Sequence, residues 1–105
     1  MKIHPNDPLP TDWEAYAKIF TALGDTQRQR ILLMFSPETS FSISEIVDAM
    51  PLSRSAVVHH LQVLANAQVL SAERCGKETR YRVNSPAIRE ALNRVLGFLD
   101  LHNYP

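Results

Sequence analysis

A chain of 105 residues is one domain's length, with 45% hydrophobic and 21% charged residues, which excludes a disordered or fibrous protein and allows a modest core. No run of 18 apolar residues and no signal-type apolar segment occurs, which points to a cytoplasmic protein without a membrane span. Net charge is zero, so any polyanionic partner must be met by one face: residues 1–50 hold four basic against seven acidic groups (net −3), and residues 51–82 hold Arg54, Arg74, Lys77, Arg80 and Arg82 against Glu73 and Glu78 (net +3).

Residues 1–10 contain Pro5, Pro8 and Pro10 and should form an extended arm. Thr11 and Glu14 have capping-box spacing, and the helix they open puts Trp13, Tyr16, Ala17, Phe20 and Leu23 on one stripe before Gly24 as a C′ residue. That stripe fits a core face and a subunit contact equally. Asp25 caps a second helix from Thr26 to about Phe35, ended by Pro37. Phe41-Ser42-Ile43 is a short candidate strand, and Ser44 can cap a helix over 45–50 that Pro51 stops.

Ser53 is the expected cap of the next helix, which runs to about Ala67. At helical period Val57, Leu61 and Leu64 fall on one side, while Arg54, Ser55, Val58, His59 and Gln62 fall on the other. The second side carries hydrogen-bonding groups of modest length, as a helix reading base edges in the major groove requires. Helix, tight turn and longer polar-faced helix is the helix-turn-helix arrangement.

Two partly alternating runs, 69–74 and 79–83, flank Cys75-Gly76-Lys77-Glu78 and read as a β-hairpin with Tyr81 and Val83 on one face and Arg80 and Arg82 on the other. A basic hairpin after a recognition helix is a wing, placed to reach phosphates. Ser85-Pro86 starts a last helix, on which Ile88, Leu92, Val95 and Leu99 form a stripe that calls for the first helix or a second subunit. The expected fold is therefore mainly α with a small hairpin: helix, helix, (strand), helix, helix, hairpin, helix. This is a winged helix-turn-helix domain over residues 11–103.

Three segments carry a family resemblance. Ala22 to Leu32 looks like the Leu-(Gly/Ala)-Asp-Pro-Thr-Arg-Leu-x-Ile-Leu segment of ArsR/SmtB-type winged-helix repressors. Ser44 to Leu64 resembles their Glu-Leu…Ser-x-Ser-x-Val-Ser-x-His-Leu-x-x-Leu helix pair, and Gly76 to Val83 is similar to their Gly-Arg-x-x-x-Tyr-x-Leu wing. The resemblance covers about residues 13–100. It implies a repressor acting as a homodimer on a palindromic operator and joined through the first and last helices, with Trp13, Tyr16, Phe20, Ile88, Leu92, Val95 and Leu99 at the seam. The sequence departs from the pattern at Gln27, at Val58, where the family often has serine, and at Gln68, where the family has a helix-ending glycine.

The DNA-facing candidates are Ser53, Arg54, Ser55, Val58, His59, His60 and Gln62 on the reading helix and Lys77, Arg80 and Arg82 on the wing. His60 lies between the two faces and fits packing or a phosphate contact equally. One wing arginine can instead pair with Glu73 or Glu78. Metal control, the usual device of the resembled family, lacks its ligands: there is no cysteine pair on the 45–50 helix and no Asp-x-His or His-x-x-His/Glu on the last helix. His4, Asp100 and His102 are the remaining low-weight metal candidates, so no cofactor is expected and the inducer is not legible. Cys75 is the single cysteine, which rules out an internal disulfide and leaves a one-thiol sensor with little support. No nucleophile, base and orienting group can be placed together, so the reading is a binding protein, not an enzyme. The alternative is a winged-helix protein-interaction module without DNA binding, to which the neutral charge lends some weight.

Overall fold

Capping chemistry decides where most helices begin, and it differs from the sequence expectation at three of them. The computed structural model describes residues 3–105; Met1 and Lys2 of the expected arm lie outside the described residues. Residues 3–10 contain no helix, but one tight turn forms, with the Asp7 N–H donating to the His4 carbonyl at 2.9 Å. α1 (Thr11–Leu23) starts on the Pro10 carbonyl, which accepts from the N–H groups of Trp13 and Glu14. Thr11 is thus already helical, and the anticipated capping box is absent. Gly24 follows with a right-handed φ of −79°. What it supplies is room, since a Cβ there would stand 3.3 Å from the Phe20 carbonyl oxygen.

α2 (Thr26–Leu32) is capped by Asp25 as expected, its Oδ1 accepting from Gln27 N–H at 2.8 Å and Arg28 N–H at 3.2 Å. The helix stops near Leu32, because Met34 and Phe35 bond back three residues in tighter turns. β1 (Phe41–Ser42) leads directly into α3 (Ile43–Ala49). Ser42, and not Ser44, is the cap: its Oγ accepts from Glu45 N–H while Glu45 Oε1 accepts from Ser42 N–H. The box sits two residues earlier because the strand residue itself turns into the helix. α4 (Arg54–Asn66) begins at Ser53, whose Oγ accepts from Ala56 N–H at 3.2 Å.

The end of α4 shows how the missing glycine is handled. Gln68 N–H donates to the Ala65 carbonyl and Val69 N–H to the Leu64 carbonyl, the paired bonds of a Schellman motif. Gln68 takes the left-handed position with φ 65°. Val69 and Leu64, the residues such a motif brings together, are both fully buried.

β2 (Leu70–Cys75) and β3 (Glu78–Val83) form the hairpin, with Cys75 opposite Glu78. The two-residue loop has positive φ at Gly76 but not at Lys77, the pattern of a type II′ turn, whose twist suits a hairpin. β3 is central: β1 pairs with it at Phe41↔Tyr81 and Ser42↔Arg80, giving an antiparallel sheet in the order β1-β3-β2. α5 (Ser85–Leu101) is preceded by Asn84 and has Ser85 and Pro86 in its first turn, so Ser85 is not the cap.

Ile31, Ile46, Val57, Leu61, Leu64 and Val69 have no exposed surface and form the centre of the core. They come from α2, α3, α4 and the start of the hairpin, so the reading helix is the element the core closes on. α5 contributes only Ala91 fully, and Leu92, Leu96 and Leu99 remain 50%, 54% and 36% exposed on one of its flanks. No helix among the described residues is long and apolar enough to cross a membrane.

Candidate nucleic-acid interface

α4 is two-faced. Val57, Leu61 and Leu64 lock one side into the core, while Arg54, Ser55, His59 and Gln62 are exposed and Val58 is half-buried. Ser53 is exposed at the helix start, and its Oγ lies 3.2 Å from Ser55 Oγ. Here the sequence-predicted side chains share a solvent-facing stripe on a rigid 13-residue helix.

His60 stands apart from that stripe. It is half-buried between α2 and α4, with Nδ1 3.3 Å from Arg28 Nη1. Arginine can only donate, so Nδ1 is the acceptor. The same guanidinium donates through Nε to the Ala22 carbonyl at 2.7 Å and through Nη2 to the Thr21 carbonyl at 3.3 Å. Gln29 adds a bond from Nε2 to the Leu23 carbonyl at 2.6 Å. α2 therefore satisfies the orphan carbonyls at the end of α1 and, through Arg28, connects them to the reading helix. Asp25 beside this cluster is held below the ordinary carboxyl range, chiefly by the Arg28 backbone N–H. In the sequence Arg28 is distinguished only by lying within the Ala22–Leu32 segment that carries the resemblance. An arginine three residues after an Asp cap was the available signal, but its partners are set by tertiary packing.

The wing basics divide. Lys77 and Arg82 are exposed. Arg80 is drawn inward: Nε donates to Ser40 Oγ (2.9 Å), Nη2 to the Ser40 carbonyl (2.8 Å), and Nη1 meets Glu78 Oε1 (2.8 Å) and Glu45 Oε1 (3.0 Å). Those acceptors, Glu78 first, hold it more firmly protonated still. Glu45 is pushed below its usual range, mainly by the Ser42 backbone N–H and also by Arg80. So the carboxylate that caps α3 also anchors the root of the wing. Pairing with Glu78 was among the sequence alternatives; the bonds to Ser40 and Glu45 were not.

On the subunit side, Trp13, Tyr16 and Phe20 are half-buried within the protomer. Tyr16 Oη donates to Glu90 Oε1 at 3.0 Å, and Arg94 lies over the Trp13 ring while its Nε donates to Asp12 at 2.9 Å. Ile88 packs against the core, whereas Leu92 and Leu99 face outward and Val95 is half-buried. The metal candidates His4, Asp100 and His102 do not form a cluster of three possible ligands within the described residues. His4 Nδ1 sits by the Asn6 N–H, and the His102 ring is 4.6 Å from that of Phe98. Cys75 is an exposed thiol at the wing turn.

Residues 25–72, from the α2 cap to the start of the wing, match the bacterial regulatory protein, arsR family profile. The transcriptional repressor SdpR of Bacillus subtilis is 27% identical over 82 residues, covering 78% of this chain and 90% of that protein. An ArsR-like transcriptional regulator from Rhodococcus sp. RHA1 superposes with a TM-score of 0.76 at 26% identity, over 89% of this chain and 90% of that one. Over its helix-turn-helix core the chain is similar to the ArsR family. Its fold is the winged helix-turn-helix of that family. A similar fold occurs in the homodimeric winged helix-turn-helix DNA-binding domain Mb0332 from Mycobacterium bovis (TM-score 0.66, 20% identity, 96% of each chain). Gln68, at the position where the resembled pattern has glycine, takes the left-handed backbone that a glycine ending a helix favours.

Proposed function

We propose that this chain is a sequence-specific DNA-binding transcriptional repressor of the ArsR type, acting in the cytoplasm as a homodimer on a palindromic operator. The observation that carries the reading is α4, with one face fixed in the core and Arg54, Ser55, His59 and Gln62 exposed together on the other, beside the wing. Arg54, His59 and Gln62 supply the groups that discriminate base edges, and Val58 offers a methyl surface to a thymine. Ser53 and Ser55 at the start of α4, with Lys77 and Arg82 on the wing, serve phosphates and set register. Arg80 acts from behind, holding the wing to α3, and His60 acts with Arg28 to seat α4.

The dimer seam is assigned to the flank of α5 carrying Leu92, Leu96 and Leu99, whose exposure leaves an apolar strip along that helix. A two-fold dimer places its reading helices on half-sites about one helical turn of DNA apart, roughly 34–36 Å. Footprinting on the DNA upstream of the chain's own gene tests the proposal. Arg54→Ala and His59→Ala should abolish the footprint while leaving fold and dimer intact; unchanged footprints for both would remove α4 as the reader. No retention of any upstream fragment at micromolar protein would favour an interaction module instead.

A further inference from the structure

An apolar groove at the junction of the arm, α1 and α5 is left unused by the reading surface. Ile3, Leu9, Trp13, Phe98 and Leu101 form its walls, and among the described residues Arg94 is the only charged one lining it. Its volume is about 370 Å³, inside the roughly 300–1,000 Å³ typical of small-molecule sites. The arm covers it incompletely, for Ile3 and Leu9 stay 45% and 47% exposed and Leu101 stays 69% exposed.

Two facts bear on what fills it. The first is position. At 3.6 residues per turn, Arg94, Phe98 and Leu101 lie on average about 150° round α5 from Leu92, Leu96 and Leu99. Seated on the leucine strip assigned above, a second copy does not cover this face of α5. The second is charge. Arg94 gives its Nε–H to Asp12 and stacks on Trp13, so its charge already has a partner, yet its terminal N–H groups make no other hydrogen bond among the described residues. A guanidinium holds five donors in a fixed fork. The groove thus offers apolar walls and one neutralised, immobile donor. A carboxylate ligand would meet Asp12 beside its counter-ion; a carbonyl would not.

We propose that the groove binds a neutral, mainly apolar molecule carrying one hydrogen-bond acceptor, of the ketone or ester type, with the arm as its cover, and that this ligand is the effector. The effector role rests on the repressor reading, whereas binding itself does not. Trp13 is the only tryptophan, so its fluorescence reports the groove directly. The full chain is titrated with 2-nonanone, nonanoate and nonylamine. 2-Nonanone should give a saturable change and bind more tightly than either ion. Arg94→Met should weaken it about ten-fold, as loss of one charged hydrogen bond requires, and Leu101→Asp should abolish it, with circular dichroism confirming that both variants fold. Tighter binding of nonanoate or nonylamine overturns the neutral-ligand assignment. No saturable response, or an unaltered one in Leu101→Asp, overturns the site. A response confined to a monomeric Leu96→Asp variant assigns the groove to the second copy and also overturns it. Where the operator complex forms, 2-nonanone should lower its affinity; binding without that shift overturns the effector role. Failure to find an operator would count against the repressor reading and leave the fluorescence result standing.

Discussion

Gln68→Gly should stabilise the protein, an unusual direction for a substitution that removes a whole side chain. Gln68 is exposed and sits at φ 65°, where its Cβ crowds the following carbonyl. For a residue other than glycine this costs about 1–2 kcal/mol. Glycine removes that strain but adds freedom to the unfolded chain worth about 0.4–1 kcal/mol. The net gain is about 0.5–1 kcal/mol, which for a domain of this size raises Tm by roughly 2–8 °C. Two comparisons isolate the cause. Gln68→Val places a β-branched residue in the same conformation and should lower Tm, because branching at Cβ makes positive φ still less tolerable. Ala67→Gly, at right-handed φ −81° one residue earlier, should also lower it, by roughly 0.5–1 kcal/mol of lost helix preference. Thermal melts monitored by circular dichroism decide the matter, run at one protein concentration because a dimer's Tm depends on it. A Gln68→Gly variant melting at or below the parent, or a harmless Gln68→Val, would refute the argument that backbone strain is stored at the end of the reading helix.

Lys77→Ala and Arg82→Ala should each flatten the salt dependence of operator affinity by about 0.9 units in the log–log slope, measured by fluorescence anisotropy. Arg80→Ala should lower affinity by loosening the wing while leaving that slope unchanged, and a drop equal to that of Lys77→Ala would put Arg80 on a phosphate. Asp25, Glu45 and Asp12 all titrate below their ordinary values, held by the Arg28 N–H, the Ser42 N–H and Arg94 respectively. Depressed carboxyls give stability that is present above their unfolded pKa of about 4 and lost as pH falls through the lower folded value. Urea midpoints should therefore hold near neutrality and fall in acid, and Glu45→Gln should reduce that fall; an identical acid profile would remove the Ser42–Glu45 box from the account. Leu96→Asp should convert the dimer to a folded monomer in sedimentation, and an unchanged mass would move the seam off the leucine strip.

Periodicity carried far because α4 is governed by its own pattern. A strict apolar stripe at Val57, Leu61 and Leu64 can only be buried one way, and that fixes which residues are left outside. The same logic placed Tyr81 inward and Arg82 outward on β3. Caps were harder, since several Ser, Thr and Asp residues stand near every helix start. Ser42 displaced Ser44 because β1 pairs with β3, a contact that local spacing does not report. Arg80 shows the same limit: on alternation alone it is equivalent to Arg82, but register sets it opposite Ser42 and within reach of Ser40 and Glu45. The groove was hidden for a similar reason. Ile3 and Leu101 are 98 positions apart, and no pattern within either segment pairs them.

A net charge of zero then becomes compatible with a DNA-binding surface. Of the five basic groups between residues 51 and 82, Arg80 has its charge answered by Glu45 and Glu78. The exposed ones are Arg54, Arg74, Lys77 and Arg82, with Glu73 nearby in the sequence. So few phosphate-directed charges give weak non-specific attraction and a shallow salt slope. On the proposed reading, discrimination comes from the exposed residues of α4, and it depends on how firmly that helix is set. The core holds its inner face, and Arg28 ties its His60 to the carbonyl end of α1. α1 is also the helix that Arg94 and Glu90 fasten to α5. α1 and Arg28 thus form an unbroken hydrogen-bonded connection from α5 to α4, the route by which the proposed dimer or ligand would bear on the proposed reading helix.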